Sequence, residues 1–210
     1  MSNPNHLRRA RRAGIAVTIG LACALIPAAA QAQVGVGTAS PFVVLGGSSV
    51  TNTGVSVLNG DLGVSPGTSL VGFGPGIVNG AIHNNDAVAS QAQLDLTTAY
   101  DVAAGQPVPP GNVLTGQDLG GLVLTSGAYR YATSAQLTGA LTLDAQGDPN
   151  AQFVFEIGST LTTASASSVL LVNGASPCNV YWQVGSSATP RRTTPFHRNV
   201  MALASIYLHN

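Results

Sequence analysis

Ionisable side chains are scarce in this chain of 210 residues, and lysine is missing altogether. Charged residues make up 8% of it, against about 25% in an ordinary soluble domain. All the basic residues are arginines, and Arg8, Arg9, Arg11 and Arg12 crowd the extreme N-terminus. No clustered positive stripe survives beyond them, which excludes a nucleic-acid binder. The shortage of Glu, Lys and Arg also excludes a coiled coil or long-helix protein. Two cysteines are too few for a disulfide-dense scaffold. What the chain does have is Gly 25 and Pro 12, the composition of a turn-rich, weakly charged and mostly β fold.

The first thirty-odd residues read as an address. The four arginines form a positive n-region, and Gly14 to Ile26 is uncharged and apolar. Ala30-Gln31-Ala32 then fits the small-x-small pattern of a cleavage site. The apolar run is short of the roughly 20 residues that a hydrocarbon core demands. We therefore expect residues 1–32 to be a signal peptide, the remainder to be exported, and no stable membrane insertion. Residues 33–210 then hold four arginines against eight acidic groups, a formal charge of −4, with Cys178 as the single thiol.

One segment has helical periodicity. Asn84-Asn85-Asp86 supplies capping residues, and Val88, Ala92, Leu96, Ala99, Tyr100 and Ala103 recur at three- and four-residue steps. Gly105 and Pro107 close it. Its alanine stripe (Ala89, Ala92, Ala99, Ala103) suits close packing along a flat neighbour. Around it lie short β-type runs broken by glycine. Leu58-Asn59-Gly60 returns as Val78-Asn79-Gly80, and again as Val172-Asn173-Gly174. Leu122-Val123-Leu124-Thr125 is echoed by Leu141-Thr142-Leu143-Asp144, with a third beat expected at Thr160-Leu161-Thr162-Thr163. One strand-sized run per period of about 20 residues marks a solenoid, whose turns bury their faces only by stacking. A β-sandwich is the alternative, and would show turn signals every 8–12 residues or so.

The motifs then become specific. Phe42-Val43-Val44-Leu45-Gly46-Gly47-Ser48, Thr51-Asn52-Thr53-Gly54 and Asn59-Gly60-Asp61-Leu62-Gly63-Val64-Ser65-Pro66-Gly67 resemble the opening of the microbial ice-binding protein family. Ala87-Val88-Ala89, Leu114-Thr115-Gly116-Gln117-Asp118-Leu119-Gly120-Gly121-Leu122 and Asp144-Ala145-Gln146-Gly147-Asp148-Pro149-Asn150-Ala151 continue the match, and Trp182-Gln183-Val184-Gly185-Ser186-Ser187-Ala188 completes it. The resemblance covers about Gly35 to Ala188 in continuous register. It implies a right-handed, three-faced β-helix with one long α-helix packed alongside, in an exported protein that adsorbs to ice crystals, restrains their growth and inhibits recrystallisation. The partner it implies is the ice surface.

Three departures stand out. The cysteine pair of many relatives is replaced by Gln106-Pro107-Val108-Pro109-Pro110 and Tyr129-Arg130-Tyr131. Thr189-Pro190-Arg191-Arg192-Thr193-Thr194-Pro195-Phe196-His197-Arg198 carries prolines unsuited to a ladder strand. The chain also stops where relatives run on. We accordingly expect a β-helix domain over 33–210 that is truncated or altered after about 188. In the family the first coil packs against the last ones, so this alteration implies an unfilled seam and reduced stability.

Strands stacked along a β-helix repeat every 4.7–4.9 Å or so. A face of small hydroxylated residues therefore becomes a regular array. Candidate ice-binding positions are Thr51, Thr53, Thr138, Thr142, Thr160, Thr162, Thr163, Ser165 and Ser167. Each is equally explained by the preference of threonine for strands. Catalytic chemistry finds no footing. Gly63-Val64-Ser65-Pro66-Gly67 matches a nucleophile elbow by spelling, but Pro66 and a glycine turn follow it where a helix is required. His83 and His197 stand alone, without a zinc-ligand partner at the proper spacing. Asp144, Asp148 and Asn150 lack the pattern of a calcium loop, and Gly72-Phe73-Gly74-Pro75-Gly76 lacks the helix of a phosphate loop. We expect no cofactor, metal or enzyme activity. The rival function is a secreted β-helical adhesin or extracellular-matrix module without ice affinity.

Overall fold

The computed structural model describes residues 32–52, 57–74, 76–189, 199–202 and 205–206. Apart from Ala32, the leader lies outside the described residues, as do Thr53 and the Pro- and Arg-containing segment 190–198.

Every strand pairing among the described residues is parallel. That pattern, with short strands stacked on the preceding turn, is a solenoid and overrules the sandwich. In the N-terminal half, β1 (Phe42–Gly46), β2 (Ser49–Thr51) and β3 (Val57–Leu58) make the first turn. Next come β4 (Asp61–Val64), β5 (Ser69–Val71) and β6 (Ile77–Val78), and then β7 (Ile82–Asn84). They stack as β1-β4-β7, β2-β5 and β3-β6. The helix α1 (Ala87–Ala104) follows. After it, β8 (Val123–Thr125), β9 (Gly127–Tyr131), β10 (Ala135–Leu137), β11 (Ala140–Asp144), β12 (Phe153–Ile157), β13 (Leu161–Thr163), β14 (Ser168–Val172), β15 (Val180–Val184), β16 (Ser187–Thr189), β17 (Val200–Ala202) and β18 (Ser205–Ile206) build the C-terminal half. Its three faces are β9-β12-β15-β17, β10-β13-β16-β18 and β8-β11-β14.

The helix forms where the local signals place it. The Asp86 side chain accepts a 2.9 Å hydrogen bond from the Ala89 N–H, satisfying a donor that the helix itself cannot. Ala89, Ala92, Ala99 and Ala103 are buried, as the alanine stripe requires. Ala99 and Ala103 pack with Ala128, Val154, Tyr181 and Met201, outward residues of successive strands of the β9-β12-β15-β17 face. Small side chains on the helix let it lie close to the sheet. The inward side of the same sheet carries the core: Tyr129, Phe155 and Trp182 stack with ring centroids 5.6 and 4.1 Å apart.

The period changes along the chain, and here the sequence expectation fails in part. Asn59 and Asn79 stack as expected, 20 residues apart, joined by a 2.8 Å side-chain hydrogen bond. β8 pairs with β11 in the expected echo, Val123 against Thr142. The third beat is wrong, because the strand that pairs with β11 is β14. Thr160–Thr163 falls on a different face, where Leu161 pairs with Ala135. The loop between β11 and β12 is the cause. Gln146 and Gly147 adopt positive φ there, and the added residues stretch the later turns, to 26 between Ser134 and Thr160 and to 28 between Ala140 and Ser168.

Strands of the two halves occupy separate sheets. Among the described residues the halves are tied by α1, which touches β4 and β7 on one side and β12 and β15 on the other. A second tie is the Gln152 amide, which exchanges two hydrogen bonds with the Val34 backbone at 2.9 and 2.8 Å.

Candidate functional site

Register decides which hydroxyls stand together. On the β10-β13-β16-β18 face, Ala135, Leu161 and Ala188 are paired and buried. Alternation then turns the residues on either side of them outward. One outward row is Ser134, Thr160 and Ser187; the other is Gln136, Thr162 and Thr189. The first row is laced internally, since the Ser134 and Thr160 hydroxyls are 2.8 Å apart. Rows two residues apart lie about 6.6 Å from each other, and rungs repeat every 4.8 Å or so. None of β10, β13 or β16 carries an ionisable side chain. The result is a flat, uncharged lattice of hydroxyls and methyls held by backbone ladders.

Its rim at β10 is different. Asp118 bridges to Gln136 as a partial further rung. Its Oδ1 accepts from the N–H groups of Gly120 (2.7 Å) and Thr138 (2.9 Å), and Oδ2 accepts from the Thr138 hydroxyl. Burial raises the Asp118 carboxyl, and these hydrogen bonds more than offset it, holding it below its ordinary value.

The nine hydroxyl positions singled out in the sequence are scattered by this geometry. Thr160 and Thr162 stand together on the flat face. Thr51 is exposed on β2, the second strand of its turn as β13 is of its own, and pairs with Val71. Thr53 lies outside the described residues. Thr138 sits at the corner after β10 with its proton committed to Asp118. Thr142 belongs to the β8-β11-β14 face, between Val123 and Leu170, both large, apolar and exposed. Ser165 is exposed at the corner after β13. Two positions are corrected: Thr163 and Ser167 are buried, at 4% and 1% exposure, so neither can meet an external surface. Thr163 points inward opposite Leu137, and the Ser167 hydroxyl is donated to the Ala164 carbonyl. Sequence reasoning missed Ser134, Gln136, Ser187 and Thr189. The return of Ser134 as Thr160 after 26 residues was the available signal.

Several other polar groups are engaged within the fold. Ser65 is buried, its hydroxyl 3.3 Å from the Asn85 side-chain oxygen, and a strand, β5, follows the turn after it. His83 lies 2.7 Å from the capping carboxylate of Asp86. Glu156 is buried with Arg130 Nε and Nη2 donating to its Oε2 at 2.7 and 2.6 Å, while Oε1 has no hydrogen-bond partner among the described residues. Burial pushes the Glu156 carboxyl above its ordinary value, and Arg130 opposes that only partly. Among the described residues, no group of three His, Cys, Asp or Glu could hold a metal ion, and no helix is long and apolar enough to cross a membrane.

Comparison with known proteins gives a consistent picture. Residues 44–210 match the sequence family described as ice-binding-like. An ice-binding protein of Nostoc sp. (strain HG1) is 60% identical over 172 residues, covering 82% of this chain and 63% of the relative. An ice-binding protein of Flammulina populicola is 32% identical over 184 residues, covering 79% of this chain and 74% of the relative. The chain thus spans less than two thirds of the Nostoc protein's length. The crystal structure of an ice binding protein from an Antarctic biological consortium superposes with a TM-score of 0.81 at 50% identity, covering 86% of this chain and 81% of that one. That of the ascomycete Antarctomyces psychrotrophicus gives 0.80 at 38% identity, covering 85% and 87%.

Proposed function

The chain belongs to the ice-binding-like protein family, and from that premise we propose that it adsorbs to ice through the flat outward face of the sheet in which β13 and β16 are neighbours. The observation that carries this reading is the register of Thr162 with Thr189, beside Thr160 and Ser187, on strands that carry no ionisable side chain. Adsorption to a solid demands that many weak contacts form at once. Side chains already fixed by β ladders lose little freedom in doing so, which is the advantage of preorganisation. Threonine and serine supply hydroxyls that can join a water lattice, and methyl groups that leave neighbouring waters free to order. Ionised groups would hold hydration shells of their own. Bound protein restrains growth at the covered surface and so slows recrystallisation.

The reading is of a non-catalytic protein, supported by the structural use made of its Ser, His and Glu side chains. We infer that it works outside the cytoplasm, on the strength of the arginine, apolar and Ala-x-Ala pattern over residues 1–32. Thr162→Tyr tests the proposed face. It is an exposed strand position, where tyrosine is equally at home. Ice shaping and recrystallisation inhibition should fall about tenfold or more, the loss that accompanies 1.4 kcal/mol of surrendered contact, with the melting curve unchanged. Full activity in Thr162→Tyr removes this face.

A further inference from the structure

The flat face ends abruptly on one side, and one residue ends it. Along the outward row, Thr189 and Thr162 are followed in register by Gln136, and beyond it by the Asp118 rung. The two threonines are short and β-branched, with χ1 restricted by the branch. Gln136 is exposed and carries two more rotatable bonds. No hydrogen bond holds its side-chain amide among the described residues, whereas its backbone carbonyl is engaged by the Leu119 N–H at 2.9 Å. A long, unfixed amide therefore occupies on the β10 rung the place that threonine holds on the next two, at the same rung as Ser134.

We propose that Gln136 is the residue that sets the border of the ice-contacting surface on this side, ending it at the rung of β13 and excluding that of β10. The proposal rests on the reading that this face meets ice, and deepens it by naming what limits its extent. One feature of the β10 rung agrees. Thr138, the next outward hydroxyl along the chain, has turned its proton to the Asp118 carboxylate, so it has none to offer a water lattice. Ser134, by contrast, is already coupled to Thr160 at 2.8 Å, so half of the rung is built like its neighbours and only the Gln136 half departs. The backbone under Gln136 is regular, with Ala135, Gln136 and Leu137 paired against Leu161, Thr162 and Thr163. Exchanging the side chain should therefore extend the array by one rung without moving the scaffold.

The experiment compares Gln136→Thr, Gln136→Ser and Thr162→Tyr with the unaltered chain in recrystallisation inhibition and crystal-shaping assays, with a melting curve for each. Gln136→Thr should act at a concentration roughly two- to tenfold lower, because a rotamer-rich side chain no longer has to be ordered or displaced at the interface. Gln136→Ser should move the same way if threonine lowers the melting point. If Thr162→Tyr abolishes activity while both Gln136 variants leave it unchanged or lower it, the border assignment is overturned and the face stands. Undiminished activity in Thr162→Tyr overturns the face and the border together.

Discussion

Replacing Arg130 by methionine should expose how the helix-covered sheet tolerates a buried carboxylate. Glu156 is 6% exposed, while the Arg130 side chain is 46% exposed, and both guanidinium contacts converge on a single carboxylate oxygen. Arg130→Met would strand the charge with neither oxygen satisfied by an ion. We expect a loss of about 2–3 kcal/mol at neutral pH, below the usual cost of breaking a buried pair because water can follow the departing guanidinium. At about 2–4 °C per kcal/mol for a chain of this size, the melting point should drop by roughly 4–12 °C. The pH dependence carries the sign. Glu156 binds its proton more tightly folded than unfolded, so its ionisation costs stability as pH rises from the ordinary value of 4.5 through the folded one. Without Arg130 that folded value moves further up. The gap between Arg130→Met and the unaltered chain should therefore widen from acid to neutral pH and close again below the ordinary carboxylate range. Adding Glu156→Gln should restore most of the loss at neutral pH. Thermal melts from pH 4 to 8 decide it: an Arg130→Met protein within about 1 kcal/mol of the parent at pH 7, with a pH-independent gap, refutes the reasoning.

Other perturbations follow from the same contacts. Asp86→Ala removes the cap from the Ala89 N–H and should lower the melting point by a few degrees; no change would show that the helix start needs no cap. Gly120→Ala would place a Cβ 1.6 Å from the Thr138 carbonyl oxygen, a backbone atom that cannot swing aside. A cost above about 1 kcal/mol is expected from overpacking, and an unchanged melt would mean that the corner is looser than drawn.

How much of this was legible in the residues differs by element. The helix was read nearly whole, since its cap at Asp86 and its buried alanines are local signals that repeat with the helical period. The solenoid was legible from Asn59 and Asn79, whose stacked amides record one turn of the coil. The faces were not. Whether Thr162 shares a surface with Thr142 depends on where the chain turns a corner, and the loop between β11 and β12 shifts that frame. Corners also reset the inward and outward phase, so Thr163 and Ser167 are buried although they look like their exposed neighbours. Ser134 and Ser187 are less legible because threonine is the more conspicuous strand residue, and because Thr160, their neighbour in the row, suggests a period near 20 residues where the register is 26.

The most direct test of the proposed face uses Cys178, which is exposed in the turn before β15, away from the flat face. Residues 33–210, labelled on that thiol with a fluorophore, should accumulate on the surface of a single growing ice crystal and persist there after exchange into protein-free solution. The same labelled chain carrying Thr162→Tyr should leave the crystal dark. Equal fluorescence from both on the ice would contradict the account, and so would an unlit crystal with the unaltered protein.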